Sequence, residues 1–111
     1  MFCHPGNTRE GKCVVRGDYK SFKTDTVYEN PSLIGIAFVD TQMICKTTQQ
    51  TGCSITIKLS NPDAQYIAFV DSSKVEGSHI YVNAPSAELL IDDTSYLMTT
   101  GRSLETKGTS Q

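Results

Sequence analysis

The sequence has no tryptophan, only two histidines and no run of three basic residues. At a net charge of -2 and a pI of ≈ 5.6 it lacks the positive field that draws a chain onto nucleic acid or anionic lipid. Its tyrosines would have no basic groove along which to stack bases. The longest apolar stretch, Leu33–Val39, contains a glycine and stops at Asp40, far short of the ~20 residues that a membrane helix needs. No segment carries an apolar stripe at helical spacing over several turns. The Gly-rich phosphate loop and the HExxH and GxSxG patterns are missing too.

Groups for acid–base chemistry are scarce. His4 lies in a terminal turn, and His79 sits between Ser78 and Ile80, where alternation predicts an exposed strand residue. Asp92 and Asp93 are adjacent, so their side chains diverge and do not form a catalytic pair. Neither Cys-x9-Cys nor Cys-x7-Cys matches zinc spacing, and no metal or other cofactor is expected. The expectation is a protein that acts without catalysis.

What is present is a β-rich composition. Thirteen threonines, eleven serines and five tyrosines favour strands, and 111 residues suit one domain. That domain is expected over residues 1–100, followed by a flexible polar tail over 101–111. The clearest strand is Cys53–Ser60, with apolar side chains at odd positions only. Ile55, Ile57 and Leu59 should be buried while Thr56 and Lys58 face solvent. Leu33–Val39 is apolar on both faces, which predicts a central strand. Its large side chains are even-numbered whereas Met43 and Cys45 are odd, so the phase must break near Asp40–Gln42. Further strands are expected at Tyr66–Val70, Ile80–Val82, Glu88–Ile91 and Tyr96–Thr99, with weaker ones at Lys12–Val15 and Thr26–Tyr28. Asp92–Ser95 reads as a hairpin turn. Asn61–Pro62 suggests a single helical turn, and Pro85–Leu90 is open to a short helix or a strand. The fold class expected is all-β: a small β-sandwich or partly open barrel of about seven or eight short strands, with one or two short helical turns, braced by disulfides.

The cysteines carry the compartment argument. Cys3, Cys13, Cys45 and Cys53 are an even number in a short chain. Cys45 and Cys53 flank a polar stretch ending in glycine, as in a hairpin, and Cys3 and Cys13 close a turn-rich loop. The pairs Cys3–Cys13 and Cys45–Cys53 are therefore expected, each stabilising by roughly 2–3 kcal/mol on the chain-entropy model. Buried free thiols of a cytosolic protein are the competing reading. Disulfides imply a secreted or periplasmic location. On that reading a leader has been removed and Met1 is not native to the mature chain. A lipid on Cys3 is a minor alternative that would leave Cys13 unpaired.

One internal echo is visible: Ile36-Ala37-Phe38-Val39-Asp40 recurs as Ile67-Ala68-Phe69-Val70-Asp71, and Gly52–Ser60 loosely parallels Gly77–Ser86. Duplication and chance both account for matches this short. Arg16-Gly17-Asp18 places a guanidinium and a carboxylate around a flexible glycine, a tripeptide that integrin ligands use and that also makes an ordinary polar turn. With Tyr19 beside it, and with Thr48, Gln49 and Gln50 in the second cysteine loop, these residues (Arg16, Asp18, Tyr19) are the candidate binding positions. The expected function is a secreted or periplasmic binding module, such as an inhibitor, an immunity-type factor or a surface-interaction protein, whose partner is another protein or a surface macromolecule. A structural subunit of a pilus, virion or fibre is the alternative, and a hydrolase with a scattered site is third.

Overall fold

A computed structural model describes residues 2–46 and 52–99 together with the backbone of 104–110. The chain winds as a parallel β-coil. A short β1 (Thr8–Arg9) folds back antiparallel on β2 (Lys12–Arg16), which opens the first coil and is followed by β3 (Tyr19–Phe22) and β4 (Thr26–Glu29). The second coil is β5 (Gly35–Val39), β6 (Gln42–Cys45) and β7 (Ser54–Lys58). The third is β8 (Tyr66–Val70), β9 (Lys74–Gly77) and the start of β10 (His79–Ile91). The fourth takes the end of β10, β11 (Tyr96–Thr99) and β12 (Leu104–Ser110).

Each strand pairs in parallel with its counterparts one coil away, so the strands form three faces. The first is β2-β5-β8-β10, the second β3-β6-β9-β11, and the third β4-β7-β10 with β12 on β10. β10 passes from the third face into the first without a turn, joining both into one eight-stranded sheet that curls as a half-barrel.

The fold is thus all-β, with the disulfides Cys3–Cys13 and Cys45–Cys53. Strand direction departs from the hairpin expectations. Asp92–Ser95 does not join paired strands: it is the corner from which β11 leaves to pair with β9. Cys45 and Cys53 likewise do not face each other across a hairpin. β6 pairs with β3 and β9, whereas β7 pairs with β4 and β10, so the bridge spans a corner between faces. The described residues hold no helix. Asn61–Ala64 closes one turn through Ala64 N–H to the Asn61 carbonyl, and Pro85–Leu90 is part of β10.

Alternation explains the core. Inward residues repeat coil after coil and stack in columns: Cys13, Ile36, Ile67 and Leu89, then Val15, Phe38, Phe69 and Ile91. Phe38 and Phe69 stack with centroids 5.0 Å apart and planes 10° apart. Met43 lies on Val75 on the second face; Ile55 lies on Ile80 and Ile57 on Val82 on the third. Phe2 closes the start of this column by edge contacts with Tyr28 and Phe38, and Cys3–Cys13 anchors the segment that carries it.

The echo in the sequence is coil repetition. Ile36–Val39 pairs in register with Ile67–Val70, and Ser54–Lys58 with His79–Asn83. The phase break at Asp40–Gln42 is the corner between the first two faces, where Asp40 adopts φ 47°.

Candidate functional site

Four corners between the first and second faces lie one above another: Gly17–Asp18, Asp40–Thr41, Asp71–Ser73 and Asp92–Ser95. Left-handed backbone turns the chain in three of them, at Gly17 (φ 66°), at Asp40 (φ 47°) and at Asp71 and Ser72 (φ 54° and 65°). Aspartate tolerates this region better than most side chains, and glycine adopts it freely. A Cβ at Gly17 would meet nothing within 4 Å, so its demand is on backbone conformation rather than space.

The corners are bonded to one another through their interior side. Thr41 Oγ1 donates within 3.0 Å of the Val15 and Val39 carbonyls, and Thr41 N–H donates to Ser73 Oγ at 3.1 Å. Ser73 Oγ lies 2.8 Å from the Phe38 and Val70 carbonyls, and Ser73 N–H donates to Ser95 Oγ at 3.0 Å. All three hydroxyls are buried, and these bonds satisfy groups that would otherwise be costly there. On the solvent side Asp92 accepts from Asp71 N–H at 2.9 Å and from Thr94, while Ser72 N–H donates to Thr94 Oγ1 at 2.9 Å. The Asp71 N–H, followed by the Ser95 and Thr94 groups, holds the Asp92 carboxyl below the ordinary carboxylate range.

Outside this ladder lies an open groove of ≈ 550 Å³ lined by Arg16, Gly17, Val39, Asp40, Asp71, Ser72 and Thr94. On the adjoining second face the register aligns Tyr19, Gln42, Lys74 and Tyr96 in one outward row. Tyr19 is 62% and Tyr96 47% exposed, and Lys74 Nζ lies 5.7 Å from the Tyr96 ring centroid. The next row sinks Glu76 to 5% exposure between Lys46 (3.0 Å) and Lys74 (3.3 Å). Lys46, then Lys74, hold its carboxyl below the ordinary range against the opposing effect of burial.

Arg16 thus lines the groove and Tyr19 stands beside it, bringing these two candidate residues together. Asp18 shares their corner, but its carboxylate accepts from Tyr19 N–H at 3.0 Å and lies 3.6 Å from Lys20 Nζ. Thr48, Gln49 and Gln50 lie outside the described residues. Sequence reasoning missed Asp40, Ser72 and Thr94 as site residues; the available signal was an aspartate directly after three first-face segments, Asp40, Asp71 and Asp92. His79 is not exposed: it faces outward, its ring stacks on Tyr81 with centroids 4.0 Å apart, and it is 8% accessible. His4 lies in the N-terminal turn, where its Nδ1 accepts from Gly6 N–H. Tyr28 faces the core, whereas Tyr19, Tyr81 and Tyr96 are exposed. Among the described residues no cluster of His, Cys, Asp and Glu is arranged to hold a metal ion, and no helix is long and apolar enough to cross a membrane.

The arrangement defines a disulfide-braced parallel β-coil with a polar, rigid-walled corner. Comparison with family models, curated proteins and solved structures yields no match.

Proposed function

We propose that this chain is a non-enzymatic binding module that recognises another macromolecule along the corner between its first and second faces. The groove carries the reading: Arg16, Asp40, Asp71, Ser72 and Thr94 offer charge and hydrogen bonds from turns already bonded to one another. Such a surface loses little conformational freedom on binding. Tyr19 and Tyr96 add amphipathic contact area beside it. The two disulfides fit an oxidising compartment, and secretion or export to a periplasm is the location proposed.

Its test is retention of a partner from the extracellular fraction on the immobilised chain. Arg16→Ala and Thr94→Ala should each weaken retention, while His4→Ala should leave it intact. Loss of biological activity in His4→Ala or in folded His79→Ala, with partner binding unchanged, would establish the catalytic reading instead.

A structural role has one observation in its favour. β3 and β11 end the second face, and each has an open edge among the described residues. Such edges template pairing with another chain, and open-ended polymers in solution would favour that role.

A further inference from the structure

The outward side of the first face differs from the other two. Register places Val14, Ala37, Ala68 and Leu90 in one row across β2, β5, β8 and β10, with Val39 and Val70 in the next. Both sheets are walls of the one coil; on this outward side Val14, Ala37, Val70 and Leu90 are half-buried, while Ala68 (7%) and Val39 (9%) are buried. The centre of the face carries small groups. Its central side chains are alanines, and Tyr66 lies down over Gly35, where any Cβ would run into the ring.

Charge is divided across it. On the β1–β2 side Arg9, Lys12 and Arg16 are exposed and have no ion-pair partner among the described residues. On the β10 side Glu88 ends the Lys12 row, and Asp92 follows Ile91 at the corner, where its carboxylate accepts from Asp71 N–H and Thr94; both are half-buried. The rows therefore run from cation through small apolar groups to anion, although the chain as a whole has a net charge of only -2.

We propose that this face docks a second copy of the chain, the two related by a two-fold axis parallel to the strands. That operation lays β2 on the partner's β10 and β5 on the partner's β8. Lys12 then opposes Glu88 of the partner subunit and Arg16 opposes Asp92 of the partner subunit. Ala37 meets Ala68 of the partner subunit at the centre, flanked by Val14 against Leu90 of the partner subunit. Alanine and glycine at the centre let two faces packed in this way approach closer than the ~10 Å usual for packed sheets. The other face-to-face two-fold, across the strands, would set Lys12 against the partner's Arg16 and Glu88 against the partner's Asp92, which like-charge repulsion disfavours. The chosen axis brings both copies' corner grooves to the same end of the dimer, so one long partner would meet two sites.

Sedimentation equilibrium of the full chain, from micromolar to millimolar concentration, tests this. The wild-type chain should reach a dimer and no larger species. Ala68→Glu and Lys12→Glu should each weaken association by roughly tenfold or more, by setting a carboxylate against an apolar or acidic surface. Lys12→Glu combined with Glu88→Lys should restore the dimer, which a merely structural effect would not do. Thermal melts of each variant show which remain folded, and Lys12→Glu on the exposed rim serves if Ala68→Glu fails to fold. A wild-type chain that stays monomeric overturns the proposal. So does a dimer indifferent to both single changes, a folded double variant that stays monomeric, or growth into polymers.

Discussion

Glu76 is the residue at which charge and burial conflict most sharply. It faces outward on a sheet, where sequence alternation would make it an ordinary solvated carboxylate, yet Lys46 and Lys74 close over it. Its carboxyl titrates below the unfolded value of 4.5, so the ionised form favours the folded chain. That contribution is complete above about pH 4.5 and is lost as pH falls through the lowered folded value. The Lys74 ammonium is raised above 10.5, chiefly by Glu76 and then Tyr96, so its part persists below that pH and fades only above it. Thermal melts between neutral and acid pH should show a smaller acid loss for Glu76→Gln than for the wild-type chain. Equal losses would mean the carboxylate is solvated after all. Ser73 makes a different kind of demand. Its hydroxyl is 1% exposed and serves Thr41 N–H and the Phe38 carbonyl together. Ser73→Ala leaves both without that partner, and denaturant unfolding should report a loss of about 1–3 kcal/mol. Neither role could be read from the sequence, because each depends on a neighbour one coil away: Lys46 for Glu76, Thr41 and Phe38 for Ser73.

At the scale of the strand, period-two alternation was enough to sort inside from outside. Ile55, Ile57 and Leu59 are at most 2% exposed, and Thr56 and Lys58 are half-open to solvent. Ile57 stacks between Tyr28 and Val82 with no accessible surface. Ile57→Ala should therefore cost about 2–4 kcal/mol in equilibrium unfolding, since neighbours fixed in columns cannot collapse into the space. A loss under about 0.5 kcal/mol would remove β7 from the core. Strand direction is another matter. Alternation is the same in parallel and antiparallel pairs, and the polar stretch between Cys45 and Cys53 resembles a hairpin loop as much as a coil corner. The recurrence of Ile-Ala-Phe-Val-Asp was the available clue, because identical side chains stack when coils are in register. Its offset differs from that of Gly52–Ser60 and Gly77–Ser86, since the segment between β6 and β7 is longer than that between β9 and β10. That unequal spacing hid the repeat. For the same reason Arg16 and Tyr19 were visible as candidates, while Asp40, Ser72 and Thr94, far from them in sequence, were not.

In the molecule as a whole, stability should be graded across the stack, because each coil is supported by the coils beside it. β5 and β8 are paired on both sides, their inward residues are fully buried, and Phe38 and Phe69 stack between them. β3 and β11 have one partner strand each among the described residues, and half of their residues are exposed. Local opening costs least where few buried contacts and few shared backbone bonds are lost. Hydrogen exchange under native conditions should therefore leave β5 and β8 amides protected longest, while those of β3 and β11 exchange first. β2 should fall between them: β1 covers its outer edge, and Cys3–Cys13 ties it to the segment carrying Phe2. Reducing the disulfides should shift β2 towards fast exchange before β5 responds, since β5 keeps β8 on its other side. If instead all strands exchange together at one rate, the coils unfold as a single unit and the gradation is wrong. If β3 is protected as strongly as β5, something outside the described residues covers the edge of the second face.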